Sequence, residues 1–491
     1  MHAAIQRKAG RLAVQLTRRG FNLALAATGA TLAMGTARAQ AKKDRAIDTI
    51  VLGAGVSGMN TATLLEKEGQ KVLVLEGRQR VGGRVFTLMD QPGHPEMGFN
   101  SMGEGYGRGL DAAARAGVEM VDVGPRFYGG PQQELWLNGK RLTREEWARS
   151  QLNPFPDALK ANLPGEVVGK IVAQHNRLAD FSTWNDPENK ALDISLNAFL
   201  KAQGLSDQAI HLASDLSPYY GQNAFEMAQL QMEFNDGFIK TQIAAGKKTL
   251  AVKGGNFNLA LGMRKLIKGD VLLGKEVVAI DSQADGVEVR CLDGSVYRAA
   301  RVVCSLPFST LRNIAVTPGF SGAQAEAVQT LGYNALTIAF LTASEPFWLS
   351  DGLSPSMFTD DQLGVVMPQR FGEDPAQITG LMVQARGNLA QVWDAMGKEA
   401  ALAHVVSRLE TLRPAAKGKV KGAALFSWAQ ERFTLGQIAY FKPGQVTRFA
   451  KAMAAPHGRI HFCGEHTAEG ARGLEGALES SERVALEVLT A

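Results

Sequence analysis

The sequence predicts a two-domain α/β protein, in which one domain is discontinuous and the other is a mixed α+β domain. Three observations predict this fold class. They are a βαβ unit that begins near residue 46, a Gly-Gly pair followed by a helix and several strands in the middle of the chain, and a last buried strand followed by a helix near its end. A length of 491 residues is enough for two to three domains.

The βαβ unit opens the first piece of the discontinuous domain, residues 46–125. The apolar run that ends at Leu52 predicts a buried parallel strand, and residues 71–75 predict the next one. Between them, Gly53-Ala-Gly55-Val-Ser57-Gly58 precedes an amphipathic helix that extends to about Lys67. A glycine pattern between a strand and a helix is the context that a dinucleotide-binding fingerprint requires.

The residues of this fingerprint have separate physical roles. Gly53 makes the tight turn, Gly55 lets the backbone approach a pyrophosphate, and Gly58 lets the helix pack on the strand. The helix N-terminus, which includes Ser57, then faces the phosphate charge. Glu76 follows the second strand and would accept hydrogen bonds from ribose hydroxyls. Because an acidic residue at this point argues against a 2′-phosphate, this Rossmann-type unit predicts FAD or NAD rather than NADP.

The rest of the chain alternates between the two domains. Residues 126–248 favour helices and carry scattered aromatic residues, so we interpret them as the first part of the substrate domain. Residues 249–319 return to the discontinuous domain, and residues 320–425 rejoin the substrate domain. Residues 426–491 close the discontinuous domain with a strand at Arg459–Cys463 and a C-terminal helix.

The middle piece of the discontinuous domain contains a helix and a meander. Gly254-Gly255 precedes a helix from about Asn258 to Ile267. Three strands follow, at residues 276–281, 286–292 and 295–306. Asp293-Gly294 predicts a hairpin turn between the last two strands.

Three further features favour FAD over NAD. Gly82-Gly83-Arg84 offers a second close approach of the backbone, and Arg84 can neutralise a diphosphate. Gly464-Glu465 offers another backbone approach, with a carboxylate for a polyol chain. Glu475-Gly476-Ala477 opens a helix whose N-terminal amides can face the electron-rich side of a reduced isoalloxazine. In this order, after the fingerprint, they predict an FAD site.

The chain also resembles the flavin-containing amine oxidase family over nearly the whole length after its leader. The matching segments are the glycine fingerprint, Glu76, Gly82-Gly83-Arg84, Gly254-Gly255, Glu276-Val277-Val278, Leu306-Pro307, Pro346-Phe347-Trp348, Tyr440-Phe441-Lys442-Pro443-Gly444, Phe462-Cys-Gly-Glu-His-Thr467, Gly473-Leu-Glu-Gly-Ala477 and Ser481-Glu482-Arg483. The resemblance implies that FAD is held by Gly53, Gly55, Gly58, Glu76, Arg84, Val277 and Glu465. It also implies noncovalent FAD, because Gly436-Gln437-Ile438-Ala439 stands where some members have a flavin-linked cysteine.

Three positions depart from the pattern that the resemblance implies. Many family members have a lysine in the strand before Pro-Phe-Trp, and the matching position here is assigned to Thr337. The two aromatic residues that guide an amine toward the flavin would fall near Gln437 and between Arg472 and Leu474, where there is no aromatic side chain. Trp428 and Tyr440 are the nearest aromatic residues, and each either lines the flavin or packs in the core.

The polar residues His466, Glu469 and Arg472 follow the flavin loop and precede the last helix. They could meet a polar or carboxylate-bearing substrate, or they could form a solvated loop. Thr337, Trp428, Gln437, Tyr440 and Arg472 are therefore the candidate catalytic or substrate-contacting residues.

These features predict an oxidoreductase that oxidises a C–N bond of a small amine or amino acid by hydride transfer to flavin. Imine hydrolysis and reoxidation by dioxygen would complete the reaction. One alternative is a periplasmic flavin dehydrogenase or desaturase that passes electrons to a redox protein, and a second is a non-catalytic flavoprotein. The sequence fixes neither the substrate nor the oligomeric state, and a homodimer is one state that it allows.

Residues 1–39 have the pattern of a twin-arginine signal peptide. Arg18-Arg19-Gly-Phe21 is followed by a short apolar stretch and by the small-residue site Ala37-Arg38-Ala39. We expect cleavage after Ala39 and export to the periplasm by the twin-arginine machinery. This leader holds six basic and no acidic residues, so the formal net charge of +5 indicates no nucleic-acid surface.

The remaining composition argues against two other kinds of site. The eight histidines and three cysteines show no metal-ligand spacing, so no metal is expected. The cysteines each lie in an apolar run, which predicts buried thiols rather than disulfides. No Gly-x-Ser-x-Gly elbow supports a hydrolase.

Overall fold

The computed structural model describes residues 47–125, 132–370 and 377–491, which lie in one compact unit. The predicted leader lies outside the described residues. The strands, numbered in chain order, are β1 Thr49–Leu52, β2 Val72–Leu75, β3 Met102–Gly103, β4 Met120–Asp122, β5 Glu134–Leu137, β6 Lys140–Leu142, β7 Thr249–Val252, β8 Val271–Leu272, β9 Val277–Ser282, β10 Val287–Cys291, β11 Val296–Ala299, β12 Arg301–Cys304, β13 Ala315–Thr317, β14 Gly332–Tyr333, β15 Leu336–Ala343, β16 Met357–Thr359, β17 Val365–Gln369, β18 Gly380–Arg386, β19 Val420–Ser427, β20 Ala439–Tyr440 and β21 Ile460–Phe462.

The α-helices of the described residues connect these strands. They are α1 Val56–Lys67, α2 Gly107–Ala116, α3 Arg144–Arg149, α4 Pro164–His175, α5 Leu196–Ala202, α6 Asp207–Ile210, α7 Gln229–Ala245, α8 Phe257–Leu266, α9 Phe308–Leu311, α10 Gly322–Thr330, α11 Phe347–Ser350, α12 Gly387–Met396, α13 Lys398–Leu412, α14 Val446–Ala454 and α15 Gly473–Thr490. Short 3₁₀ turns occur at Asp157–Leu159, Phe181–Thr183, Pro187–Leu192, Pro414–Ala416 and Glu465–Thr467, and a π turn at His211–Asp215.

A five-stranded parallel sheet brings together the three separated pieces of the chain. Its strand order is β21-β12-β1-β2-β8, so β1 from the first piece pairs with β12 from the middle piece, and β12 pairs with β21 from the closing piece. Strands β1 and β2 are buried throughout, as a parallel sheet covered on both faces requires. The predicted α/β fold class is confirmed.

The predicted third strand of the meander, residues 295–306, is not one strand. It divides at Ala300 into β11, which pairs with β10, and β12, which enters the parallel sheet. The prediction was wrong because no glycine or proline interrupts residues 295–306, whereas the two halves pair with different sheets. The hairpin turn at Asp293-Gly294 is present, and Gly294 there has a φ of +82°.

The second large sheet has seven strands in the order β19-β15-β18-β17-β16-β5-β6. Its central strands β15 and β18 pair antiparallel and present different faces on alternate residues. Ala335, Ala339 and Leu341 pack with Trp393 and Val405 of the helices α12 and α13. Leu336, Ile338 and Phe340 face the opposite side, where Trp428 and Met97 lie. This sheet joins residues 134–142 to residues 336–427.

The domain boundaries stay a prediction, although the sheets group the chain segments as described above. All three cysteines are buried and free, and each lies at or next to the end of a strand. Within the described ranges, no helix is both long and apolar enough to cross a membrane.

Candidate active site

A cavity of about 480 Å³ lies at the carboxyl ends of the parallel strands. The loops after four of these strands contribute Gly53 after β1, Glu76 after β2, Ser305 after β12 and Gly464 after β21. This is where open α/β sheets bind their ligands, at the point where the strand order reverses. The volume lies in the usual range for ligand sites.

The fingerprint glycines form the tightest part of the cavity wall. Gly53 has a φ of +96°, which favours glycine, and a Cβ added at Gly58 would lie 2.1 Å from the Gly53 carbonyl oxygen. A Cβ at Gly55 would meet nothing within 4 Å, because Gly55 borders the open cavity. Gly53, Gly55 and Ser57 line the cavity, whereas Gly58 holds α1 against β1.

Glu76 is held rigidly at one end of the cavity. Its side chain is buried, its Oε2 accepts a hydrogen bond from the Ala54 amide at 2.8 Å, and its Oε1 accepts one from the Arg78 amide at 2.8 Å. Oε1 also accepts from Arg78 Nη1 at 3.4 Å, whereas Oε2 has no further partner among the described residues, so the carboxylate can still accept a hydrogen bond from a ribose hydroxyl. Val277 and Lys275 line the same end.

The second glycine loop contacts the fingerprint directly. Gly82 forms an isolated bridge with Gly55, and its amide donates to the Ala54 carbonyl at 2.8 Å. Gly83 lines the cavity and has a φ of +55°. These backbone contacts leave two adjacent stretches without side chains beside the space where a diphosphate would lie.

Arg84 links the first piece of the chain to the closing piece. Its Nη1 donates to Glu465 Oε1 at 2.6 Å and to the Gln437 carbonyl oxygen at 3.0 Å. Glu465 Oε1 also accepts from the Ala439 amide at 2.9 Å. The charge of Arg84 is thus paired with Glu465, and both residues line the cavity.

The closing piece supplies the other wall. Gly464, with a φ of +127°, lines the cavity, as do Gly473, Leu474 and Ala477 at the start of α15. Glu475 lies elsewhere: its buried carboxylate accepts from the Gly109 amide at 2.9 Å and the Arg108 amide at 3.1 Å, at the start of α2. The structure therefore does not bring Glu475 to the cofactor cavity.

The residues present fit FAD. Glycine backbone borders the cavity at Gly55 and Gly83, and a carboxylate whose Oε2 can accept a further hydrogen bond lies at one end, as a dinucleotide requires. The cavity continues from there to Gln437, Ile438 and Leu474, which gives room for a second half of the cofactor. All predicted cofactor residues except Gly58 and Glu475 line this one cavity.

The assignment of Thr337 to a position facing the flavin is corrected by the structure. Thr337 lies on the face of β15 that packs on the helices, and its hydroxyl donates to Asp394 Oδ1 at 2.7 Å. Because successive residues of a strand point to opposite faces, it is Ile338 that points to the Trp428 side. Neither Thr337 nor Ile338 lines the cavity. The structure therefore places Thr337 between the sheet and the helices, away from the cavity.

The other candidates divide between core and cavity. Trp428 is fully buried, donates from its indole nitrogen to the Met97 carbonyl at 2.6 Å, and packs against Phe426. Tyr440 is buried and its hydroxyl donates to Glu226 Oε2 at 3.1 Å. Neither aromatic residue lines the cavity, so the structure favours the core interpretation for both. Gln437 does line it.

Arg472 lies beside Tyr219 and Arg386, two residues that the sequence did not identify as candidates for the site. Its Nη2 donates to the Tyr219 hydroxyl at 2.5 Å, and its guanidinium lies 5.4 Å from the centre of the Tyr219 ring. The guanidinium of Arg386 lies 5.7 Å from the same ring. No motif marks Arg386 or Tyr219: Arg386 ends β18, and Tyr219 lies in the loop that follows the π turn.

His466 and Glu469 have different surroundings. His466 is buried, and burial, followed by the nearby charges of Arg84 and Arg483, lowers its pKa to about 3, so that the imidazole is neutral. Glu469 lies against Trp184, whose indole nitrogen donates to its carbonyl oxygen at 2.8 Å. Within the described ranges, no three metal-ligating side chains form a cluster that could hold a metal ion.

Known proteins of one family are similar to this chain over most of its length. The sequence profile of the flavin containing amine oxidoreductases matches residues 56–489. The L-amino-acid oxidase of Vipera ammodytes ammodytes is 25% identical over 466 residues, which cover 89% of this chain and 92% of that protein. Flavin-containing amine oxidase A of Bos taurus is 24% identical over 483 residues, covering 90% and 85%.

Solved structures share the fold. Cyclohexylamine oxidase from Brevibacterium oxydans has a TM-score of 0.71 at 20% identity, covering 91% of this chain and 99% of that one. Putrescine oxidase bound to putrescine has a TM-score of 0.70 at 22% identity, covering 90% and 99%.

Proposed function

The chain belongs to the flavin-containing amine oxidoreductases, and from this premise we propose that it oxidises the C–N bond of a small amine or amino acid. The observation that carries the proposal is one continuous cavity at the carboxyl ends of four parallel strands. Glu76 lies at one end of this cavity, and Gln437 and Leu474 lie at the other. The relatives that carry the names of amine and amino-acid oxidases support the same reaction type.

When bound, FAD supplies a two-electron acceptor that takes a hydride from the carbon next to the nitrogen. The nitrogen loses a proton as the C=N bond forms, and water then hydrolyses the imine to a carbonyl compound and an amine or ammonia. We propose that dioxygen takes up the two electrons and two protons to give hydrogen peroxide. In the alternative, a periplasmic redox protein accepts the electrons.

The residues of the chain bind and orient the reactants in this scheme. Glu76 would hold the ribose, and the amides of the glycine loops and of α1 would face the diphosphate. Arg84 and Glu465 fix the positions of the Gln437 and Ala439 backbone. The apolar side chains of Ile438 and Leu474 would exclude water from the reacting carbon.

The substrate must arrive as the neutral amine, because the described lining of the cavity offers no free base at the Gln437 end. Among the described lining residues, the ionisable side chains that contact the Gln437 and Ala439 backbone are Arg84 and Glu465, which are paired with each other. We therefore expect the rate of flavin reduction to rise with pH in step with the pKa of the substrate amine.

Anaerobic mixing of the purified yellow protein with amines, polyamines and amino acids tests the proposal. Bleaching of the flavin by at least one class is the expected result. A folded protein that stays colourless when offered FAD, or a flavin that no compound bleaches, would contradict it. Comparing reoxidation by air with reoxidation by a cytochrome decides between the two electron acceptors.

We further propose that the FAD is noncovalent and that the protein is exported. The described lining of the cavity contains none of the cysteines Cys291, Cys304 and Cys463, which supports noncovalent binding, and acid precipitation should release all of the FAD into the supernatant. The leader pattern Arg18-Arg19 supports twin-arginine export. Replacing both arginines by lysine should retain the protein in the cytoplasm, and unchanged periplasmic activity would contradict this route.

A further inference from the structure

Two arginine side chains flank one tyrosine, which lies close to residues that line the cavity. Arg386 lies at the end of β18 and Arg472 immediately before α15, and we refer to these two residues as the arginine pair. Their guanidinium groups lie 5.7 Å and 5.4 Å from the centre of the Tyr219 ring. Two separate parts of the chain thus place a positive charge beside the same tyrosine ring.

The arginine pair has no acidic partner among the described residues. Neither guanidinium forms an ion pair there; Arg472 donates to the Tyr219 hydroxyl, and Arg386 donates to the Gln384 amide oxygen at 3.2 Å. Burial lowers the pKa of Arg386, and the nearby groups that oppose this effect are the phenols of Tyr219 and Tyr220. Two partly buried cations without a counter-ion are costly, unless a ligand brings the negative charge.

Backbone contacts place the arginine pair beside the wall of the cavity. Asn334 Nδ2 donates to the Tyr219 carbonyl at 2.8 Å, and the Asn334 carbonyl accepts from the Gln437 amide at 2.9 Å. Gln437 lines the cavity. On the other side, Arg472 is followed directly by Gly473 and Leu474, which also line it. Arg386, Arg472 and Tyr219 are not among the described lining residues, but these contacts place them next to Gln437 and Leu474, at the end of the cavity opposite Glu76.

We infer that the arginine pair is an anion subsite and that the substrate is an amine that carries a carboxylate. A guanidinium group presents a planar fork of donors that matches a carboxylate, and two such groups would enclose it. The Tyr219 hydroxyl would add a third donor. This inference rests on the proposed function and specifies its substrate class; it leaves open whether the carboxylate is on the reacting carbon or farther along the chain.

The reduction test compares amines that differ only in the carboxylate. Each common amino acid is mixed anaerobically with the holoenzyme beside the amine left by its decarboxylation, and 4-aminobutanoate is mixed beside butylamine for a distal carboxylate. We expect at least one carboxylate-bearing compound to bleach the flavin about 10-fold or more faster than its partner at equal concentration, as loss of a charge-assisted hydrogen bond predicts. Faster bleaching by the decarboxylated amines throughout would overturn the inference while supporting the proposed function.

Variants of the arginine pair connect this preference to the residues. Arg472→Met and Arg386→Met should each raise the dissociation constant of the preferred compound about 10- to 100-fold, with a smaller change in the limiting reduction rate. Arg298→Met, at an exposed arginine of β11, is the matched control and should change neither value. Equal dissociation constants in all variants would overturn the inference. If a methionine variant loses FAD, the lysine variant at the same position, Arg386→Lys or Arg472→Lys, is tested instead. It should also bind the preferred compound more weakly, because lysine lacks the planar fork of donors.

A binding measurement separates the inference from the redox chemistry. Benzoate is titrated into the holoenzyme while the flavin absorbance is recorded, and benzamide serves as the uncharged probe. Benzoate should bind to the wild type and Arg298→Met, and about 10- to 100-fold more weakly to both methionine variants. If no compound bleaches the flavin, the proposed function fails and this titration alone decides on the subsite. Benzoate binding that is absent, or equal to benzamide, would overturn it.

Discussion

At the scale of single residues, the clearest local network is centred on the Asp394 carboxylate. Thr337 donates to its Oδ1 at 2.7 Å and Ser427 to its Oδ2 at 2.8 Å, so that α12 is fixed to β15 and to the end of β19. The network lies on the helix-covered face of the sheet. Its role is therefore to hold the sheet and the helix together, away from the cavity.

Thr337→Val tests this structural role. Valine has nearly the same shape but cannot donate, so Asp394 loses one of its partners. We expect the free energy of unfolding to fall by about 1 to 3 kcal/mol, with the flavin reduction rate unchanged within about twofold. Denaturant unfolding and anaerobic reduction measure the two quantities. A large fall in the reduction rate without a loss of stability would instead indicate that Thr337 takes part in the reaction.

Tyr219 predicts a pH dependence of carboxylate binding. The charges of Arg472 and then Arg386 lower the pKa of its phenol below the usual value, although burial acts in the opposite direction; Tyr220 and Tyr106 are the other titratable groups beside it. As the pH rises through this lowered pKa, a phenolate would form and compete with the carboxylate for the arginine pair. The dissociation constant of benzoate should therefore rise with pH.

Tyr219→Phe is the matching variant. It keeps the ring but cannot ionise, so the loss of benzoate affinity at high pH should disappear. Titrations at several pH values, with FAD absorbance as the readout, measure this. The same pH dependence in the wild type and the variant would assign the titration to another group.

At the scale of elements, the approach of α1 to β1 depends on Gly58. A Cβ at this position would lie 2.1 Å from the Gly53 carbonyl oxygen and 3.2 Å from a Val51 methyl group. The carbonyl belongs to the turn that lines the cavity, and backbone cannot move away as a side-chain end can. The same contact thus controls helix packing and the shape of the cofactor loop.

Gly58→Ala should destabilise the protein by about 1 to 3 kcal/mol and weaken FAD binding. Gly165→Ala is the control, because an added Cβ there would meet nothing within 4 Å at the start of α4. The control should be neutral or slightly stabilising. Thermal unfolding with and without added FAD gives both values. Normal FAD affinity in Gly58→Ala would show that the loop can adjust.

The βαβ unit could be predicted from sequence because strand periodicity, the glycine spacing and Glu76 are all local signals. The division of residues 295–306 at Ala300 could not, because no glycine or proline marks it and only the pairing with two different sheets separates the halves. The face of β15 on which Thr337 lies could not be predicted either, because both faces of this strand are buried and sequence spacing does not distinguish them.

At the scale of the whole molecule, buried polar contacts join the separated pieces of the discontinuous domain. Glu96 from the first piece accepts from Thr87 at 2.7 Å and from the Asn256 amide of the middle piece at 2.7 Å. Burial raises its pKa to about 8, although these two hydrogen bonds act in the opposite direction. The folded protein therefore keeps a proton that the unfolded chain releases near pH 4.5.

This proton predicts how stability depends on pH. Between about pH 4.5 and 8 the folded state binds more protons at Glu96 than the unfolded state, so the contribution of Glu96 to stability falls as the pH rises. Glu96→Gln keeps the shape without ionising and should remove this part of the pH dependence. Unfolding midpoints from pH 5 to pH 9, for the wild type and the variant, measure the difference. Parallel curves would exclude Glu96 as the cause.

The sequence by itself determined the fold class, the order of the pieces and the glycines and acid of the cofactor cavity, because these depend on patterns within short segments. Only the tertiary structure decided the direction of Thr337, the core positions of Trp428 and Tyr440, and the meeting of Arg386, Arg472 and Tyr219. Those residues are far apart in the chain, and their contacts depend on strand pairing and sheet register, which no local spacing specifies.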